Sequence, residues 1–330
     1  MSASRHVEAD RVIVFGPGAL KAGAELIGAD YTLLTTARAA RDSPEVARRA
    51  GKVVEVASGL VEDVAGDLLG AVDGSRLVAL GGGRVIDVAK ALVAAGRAES
   101  VVAIPTTLSG AEMTRLHRHA RGVPAGAARV QPAVVINDPV LSASQPVGQL
   151  AASSANALGH ALVAAASTRS DPLSRAVALD AVRHLAAAWR DPAPDREEMA
   201  LGALLAGWAV DHSGLGPHHA LAQTLVRTFS LDHAGANVAL LPETIRACRR
   251  RVPAAVEALD AAAGDALEAL ARQLRDRAPS RALSRTELEA RLDLALDAAA
   301  ARSELDRIPP APDREELRQI LVAALTRKPS

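Results

Sequence analysis

Cysteine is nearly absent: Cys248 is the only one among 330 residues. An intrachain disulfide is therefore excluded, and a reducing, cytoplasmic setting is the expectation. Net charge is missing as well. Lysine plus arginine and aspartate plus glutamate number 38 each, and the basic residues are dispersed, which excludes the electrostatic footprint of a protein that binds nucleic acid or an anionic membrane. Lysine itself is scarce, standing only at Lys21, Lys52, Lys90 and Lys328. No uninterrupted apolar run approaches the ~18–20 residues that span a bilayer, and the polar start, residues 1–10, offers no apolar region for export. With 49% hydrophobic residues the chain can bury a sizeable core, and 330 residues suit two domains. A small-molecule ligand is the expectation that remains.

What is present centres on residues 77–90. Leu77-Val78-Ala79-Leu80 runs into Gly81-Gly82-Gly83, and Val85, Ile86, Ala89, Leu92 and Val93 follow at helical spacing. The pattern predicts a buried strand, a tight turn and a helix. Without Cβ atoms, Gly81 to Gly83 let backbone N–H groups approach an anion, and the first turn of the helix adds partial positive charge. A dinucleotide pyrophosphate would fit there, and so would a plain strand-to-helix turn with no ligand. A further strand at 101–104 opens into Pro105-Thr106-Thr107-Leu108-Ser109-Gly110-Ala111-Glu112-Met113-Thr114. Strands at 11–15, 31–35, 53–56 and 132–138 alternate with helices at 19–27, 46–49 and 61–69, which argues for a parallel sheet with helices on both faces and ligands outside the carboxyl ends of its strands. The turn after the second of these strands holds Thr36, Arg38 and Arg41, with no acid before Asp42. Either it accepts a 2′-phosphate, in which case NADPH is permitted beside NADH, or it is a solvated turn whose arginines bind nothing.

Beyond Pro146 strand patterns vanish. Helical spacing is expected over 149–167, 172–189, 196–213, 218–229, 237–249, 253–277, 284–301 and 313–326. The chain therefore divides into an α/β domain over 1–146 and an all-helical domain over 147–330. In the second domain Asn156 and His160 stand four apart, on one face of a helix. His218 and His219 open another helix, and His233 follows a break. Taken singly, each histidine is as much a core or surface residue as a ligand. As a set, they and the amide converge if their helices face one site.

The two loops, G-G-G-x-x-x-D-x-A-K at 81–90 and I-P-T-T-x-x-G-x-E-x-T at 104–114, resemble the iron-containing alcohol dehydrogenase superfamily, which includes dehydroquinate synthase-like enzymes and maleylacetate reductases. The N-A-L-x-H at 156–160 and the run from His218 to Ala234 resemble the maleylacetate reductase branch most, and the likeness extends through 141–147, 207–209 and the closing helix. The resemblance implies a Rossmann-like N-terminal sheet joined to a helical catalytic domain, the dehydroquinate synthase-like fold, and a cytoplasmic homodimer. It implies NADPH or NADH held by Gly81, Gly82, Gly83, Arg84, Asp87, Thr106, Thr107 and Thr36, with hydride transfer in an interdomain cleft. Catalysis would fall to Asn156, His160, His219 and His233, the three histidines being also the ligands of iron or zinc in metal-binding members. Asn156 stands where those members have an aspartate, and a neutral amide is a weak ligand for a divalent cation. Arg115, Arg118 and His218 are the candidates for substrate carboxylates, because guanidinium grips a carboxylate with two hydrogen bonds.

Three departures qualify the likeness. Gln223 replaces a histidine of that branch, residues 115–124 lack its usual lysine, and Ala236-Asn237 resembles the wider alcohol dehydrogenases. Three functions stay open. The first is reduction of a keto-enoate or related carbonyl, in which hydride reaches the alkene carbon farther from the ketone and a histidinium or a histidine-bound metal stabilises the enolate. The second is a metal-dependent alcohol or aldehyde dehydrogenase; the third, a nucleotide-binding homologue with a degraded, non-redox site.

Overall fold

The computed structural model describes residues 3–142, 145–279, 281 and 283–326. Two compact units divide it, Met1–Ser144 and Gln145–Ser330.

The first unit is built on one sheet of seven strands: β1 (Ser4–Glu8), β2 (Arg11–Phe15), β3 (Tyr31–Thr35), β4 (Ala50–Glu55), β5 (Arg76–Gly81), β6 (Ser100–Pro105) and β7 (Val134–Asn137). Their order is β1-β2-β7-β6-β5-β3-β4, and every pair is parallel except β1 with β2. Strand β5 shows why a sequence of unbroken apolar residues forms the centre. Leu77 and Ala79 enter the core on one face of the sheet, with Ile86, Ala89 and Leu92, while Val78 and Leu80 enter the core on the other, with Leu33, Ile104 and Ile136. A strand covered on both faces needs apolar residues at every position.

Helices α1 (Ala19–Ala22), α2 (Ala24–Ile27), α3 (Ala37–Asp42), α4 (Pro44–Arg48), α5 (Val61–Leu68) and α6 (Gly83–Ala94) connect the strands. Two differences from the sequence reading stand out. The polar start contains strand β1, whose residues are mostly exposed and which pairs antiparallel along the sheet edge. The expected helix over 19–27 is two short helices that meet at Gly23. Of the stretch 141–147, residues 143 and 144 lie outside the described residues.

The second unit is helical among its described residues: α7 (Val147–Ala166), α8 (Pro172–Ala188), α9 (Arg196–Ser213), α10 (Pro217–Phe229), α11 (His233–Arg251), α12 (Pro253–Ala263), α13 (Leu267–Arg277), α14 (Arg285–Ala300) and α15 (Arg314–Thr326). Two expected starts, at 172 and 284, coincide with caps, whereas the helix expected from 237 begins at His233. Asp171 and Ser174 form a capping box before α8, as Ser284 and Glu287 do before α14. The single helix expected over 253–277 is instead α12 and α13, because Gly264 takes φ 77 and ends the first. Cys248 is buried on α11, and burial pushes its thiol up to about 12. Among the described residues no helix is long and apolar enough to cross a membrane.

Candidate functional site

In the first unit, register brings three loops to one edge. Gly81 lies beside Pro105 in the β5–β6 pair, and Thr35 lies beside Leu80 in the β3–β5 pair. The carboxyl ends of β3, β5 and β6 are thus neighbours, carrying Thr36, Gly81 to Gly83, and Thr106 to Thr107. The two motif loops are packed as one body. A Cβ on Gly82 would meet Thr107 Cγ2 at 3.1 Å, and a Cβ on Gly83 would meet Ser109 Cβ at 2.8 Å. The amide of Thr106 donates to the Gly81 carbonyl at 2.9 Å. Lys90, fully buried on α6, donates to the carbonyls of Ala111 and Thr114 at 2.8 and 3.0 Å and pairs with Asp87 at 2.8 Å. Much of the glycine and lysine pattern is therefore needed to seat one loop on the other, before any phosphate is considered. Asp87 is the partner of a buried ammonium, and Arg84 is exposed on the first turn of α6. Thr36 caps α3, its hydroxyl accepting from the Ala39 amide at 3.3 Å.

Glu112, from the second loop, is 1% exposed. Its Oε1 accepts from Asn137 at 3.5 Å, and its Oε2 is buried without a hydrogen bond. Burial pushes this carboxyl up to about 7, against the opposing pull of its own backbone hydrogen bond and of Lys90 and Arg11, with Asp87 adding to the rise. Arg115 and Arg118 are exposed in the same unit. Between them His117 is buried, its Nδ1–H donating to the Arg118 carbonyl at 3.0 Å and its Nε2 accepting from the Val130 amide at 2.9 Å. Burial lowers that ring to about 4, so it is a neutral loop brace.

The second unit gathers the histidines. Asn156 and His160 come from α7, His218 and His219 from the first turn of α10, and His233 opens α11 behind the N-cap Asp232, whose carboxylate accepts from the Gly235 amide at 2.8 Å. The His160 and His219 rings stack at 4.4 Å with a 16° interplanar angle, and His233 lies 6.3 Å from His219 between centroids. Asn156 Oδ1 is 3.1 Å from His219 Nε2. Convergence of Asn156, His160, His219 and His233 is thus observed.

Their state differs from the expected histidinium. Burial lowers His160 to about 3, with His218 and His233 pushing the same way, and burial also holds His219 well below the ordinary range. These rings are neutral at neutral pH and can offer an N–H but not a charge. Nor does the arrangement fit a divalent metal. Asn156 is uncharged, and His219 Nε2 is engaged with it. Among the described residues no group of three or more His, Cys, Asp or Glu is arranged to hold a metal ion.

His218, a candidate for a substrate carboxylate, is engaged within the fold. It is 1% exposed, with Nδ1 3.0 Å from Thr244 Oγ1 and Nε2 3.0 Å from Asn237 Oδ1, so both nitrogens are committed within the fold. Gln223 accepts from Arg302 at 2.8 Å, linking α10 to the turn Ser303–Arg307 through Arg302's pairing with Glu304. Sequence reasoning passed over Gly159 and Thr244, and took Glu112 only as a motif position. The signal for the first was available: a glycine in the middle of a helix costs about 1 kcal/mol relative to alanine and marks a close approach.

A sequence model of the Fe-containing alcohol dehydrogenase family, C-terminal, matches residues 150–324. The chain belongs to this family. Maleylacetate reductase 1 of Rhodococcus opacus is 33% identical over 184 residues, 53% of this chain and 51% of that protein. 1,3-Propanediol dehydrogenase of Klebsiella pneumoniae is 37% identical over 121 residues, 35% of this chain and 31% of that protein. These matches thus span 31% to 51% of the curated relatives' length. Among solved structures, maleylacetate reductase from Agrobacterium tumefaciens superposes with a TM-score of 0.80 at 27% identity, covering 99% of this chain and 100% of that one. An iron-containing alcohol dehydrogenase from Corynebacterium glutamicum gives a TM-score of 0.81 at 26% identity, covering 100% and 98%. The fold expected from the sequence, α/β followed by all-α, is the family's fold.

Proposed function

We propose that this family member is an NAD(P)H-dependent reductase of a small carbonyl compound, a keto-enoate of the maleylacetate type being the substrate class. The observation that carries the reading is the buried group of Asn156, His160, His219 and His233 in the helical unit, with the nucleotide assigned to the glycine loop of the other unit. In this mechanism hydride adds to the alkene carbon farther from the ketone, and the electron pair moves to the carbonyl oxygen as an enolate. His160 supplies a neutral N–H to that oxygen; its ring makes no hydrogen bond among the described residues, whereas His219 is bonded to Asn156 and His218 to Asn237 and Thr244. A neutral imidazole matches an enolate well, since it donates a hydrogen bond without having to lose a proton near pH 7. Arg115 or Arg118 is assigned to a substrate carboxylate and Thr36 to the adenosine ribose, where no acid opposes a 2′-phosphate.

The test is NAD(P)H oxidation with maleylacetate before and after prolonged chelation, with kcat/KM compared for the two nucleotides. Activity that survives chelation and uses NADPH at least as well as NADH is expected. A second reading, a metal-dependent alcohol or aldehyde dehydrogenase, is favoured by the likeness to 1,3-propanediol dehydrogenase. Activity lost on chelation and restored by iron or zinc would select it. Absence of turnover with every carbonyl substrate would leave a nucleotide-binding homologue without redox chemistry.

A further inference from the structure

His218 stands where three helices meet. Its neighbour in sequence is His219 on α10. Its ring lies against Gly159 of α7, the residue before His160, so closely that a Cβ there would be 2.3 Å from His218 Cδ2 and 2.6 Å from Nε2. Its two nitrogens reach α11, at Asn237 and Thr244. Asn237 in turn donates through Nδ2 to the carbonyl of His233 at 2.8 Å. One ring thus touches each helix that supplies a histidine to the site, and meets His219 edge-on at 5.4 Å and 74°.

Proton bookkeeping fixes its form. With Asn237 Nδ2 committed to the His233 carbonyl, Asn237 presents Oδ1 to His218 and can only accept, so His218 Nε2 carries the hydrogen. A neutral imidazole has one N–H, which leaves Nδ1 bare to accept from the Thr244 hydroxyl. The carbonyls of Leu240 and Leu241, 3.1 and 3.0 Å from Thr244 Oγ1, are the other acceptors that hydroxyl can choose. Donation to His218 satisfies a buried nitrogen that otherwise has no partner, and those carbonyls already lie within the helix.

We propose that His218 is a positioning residue, held as the Nε2–H tautomer between Asn237 and Thr244, which fixes His160, His219 and His233 relative to one another for the reduction. This rests on the reductase reading above. The prediction separates isosteric changes. Thr244→Val removes the hydroxyl while keeping the shape, and kcat should fall about ten-fold with the KM for the carbonyl substrate and the Kd for NAD(P)H unchanged, as expected when reacting groups lose alignment rather than binding contacts. Thr244→Ser keeps the hydroxyl and should restore the native rate. Thr244→Ala serves in place of the valine variant if that one does not fold.

Imidazole ¹⁵N spectra of the whole chain supply the second readout. His218 should show a protonated Nε2 and a bare Nδ1, and the ring signals of His160 and His219 should move in Thr244→Val and not in Thr244→Ser. An Nδ1–H tautomer at His218, or a serine variant as impaired as the valine one, would overturn the proposal. So would losses in KM and Kd as large as the loss in kcat. If the native chain reduces no carbonyl, the functional reading fails alone, and the spectra still decide the placement of His218.

Discussion

The His160 ring makes no hydrogen bond among the described residues, and its Nδ1, like that of His219, is buried without a partner. A buried polar atom left in that state costs free energy unless a ligand completes it; the one N–H of a neutral His219 goes to Asn156 Oδ1, whereas that of His160 is not used among the described residues. Replacing His160 by alanine should lower kcat about 10²-fold, the scale seen when one donor to a developing oxyanion is removed. Affinity for NAD(P)H should not change, because the nucleotide is assigned to the other unit. Steady-state kinetics beside a fluorescence titration of NAD(P)H separate the two; a loss confined to nucleotide affinity would remove His160 from the chemistry. The sequence made the cluster legible through the four-residue spacing of Asn156 and His160 and the paired His218-His219. It could not tell a ring that serves a ligand from one that holds helices apart. His218 and His219 are adjacent in sequence, yet one is closed off by Asn237 and Thr244 and the other stacks on His160, a division set entirely by what packs opposite each ring.

At the scale of elements, the two motif loops of the first unit pose a question about cause. Gly82 faces Thr107, so a side chain there disturbs loop packing as well as any phosphate beyond it. Gly82→Ala should lower both the stability of the unit and the affinity for NAD(P)H. Thr107→Ala removes Cγ2 and Oγ1 and leaves only a Cβ 3.8 Å from the new methyl group, so the double variant should regain stability. If the loop cradles pyrophosphate, nucleotide binding in the double variant stays weaker than in Thr107→Ala alone. Equal binding in those two would show that the glycine serves packing only. The parallel strands were readable from sequence because burial on both faces demands unbroken apolar runs. Strand β1 was not, since Arg5, His6 and Glu8 carry no such run and the strand exists through edge pairing with β2. The split between α12 and α13 was hidden for the opposite reason: the alanine-rich flanks favour helix so uniformly that only the left-handed turn at Gly264 interrupts it.

Across the whole molecule, the buried titratable groups make the two units respond to pH differently. Glu112 has its folded pKa raised to about 7 from an ordinary value near 4.5, so its contribution is full below the ordinary value and is lost as pH climbs through the folded one. The limit of that loss is about 3 kcal/mol, at 1.36 kcal/mol per unit. His160 and His218 are shifted the other way, to about 3 and about 4 from 6.5. The unfolded chain takes up protons at these rings before the folded one does, so the second unit loses stability as pH falls below 6.5. Between pH 4.5 and 6.5 the second unit should strengthen with rising pH, whereas in the first unit the loss at Glu112 is offset by a gain at His117, lowered to about 4 from 6.5, so that its stability should change little. Hydrogen exchange resolved by peptide would show the difference, and Glu112→Gln should leave the His117 contribution unopposed, so that the first unit too strengthens with rising pH. A first unit whose response to pH is the same before and after Glu112→Gln would mean that Glu112 is not held protonated by its surroundings.

The solitary thiol of Cys248 gives the helical unit a clock. Alkylating reagents attack the thiolate and need access to it, and a buried thiol with a pKa of about 12 offers neither while α11 stays packed. Each labelling event then records one opening of that helix, without interference from any other cysteine in the chain. Labelling in native buffer should be slow and should accelerate in proportion to the open population as denaturant is added. Because Thr244 lies on the same helix one turn before Cys248, the same reagent would time how much of α11's rigidity depends on the bond to His218.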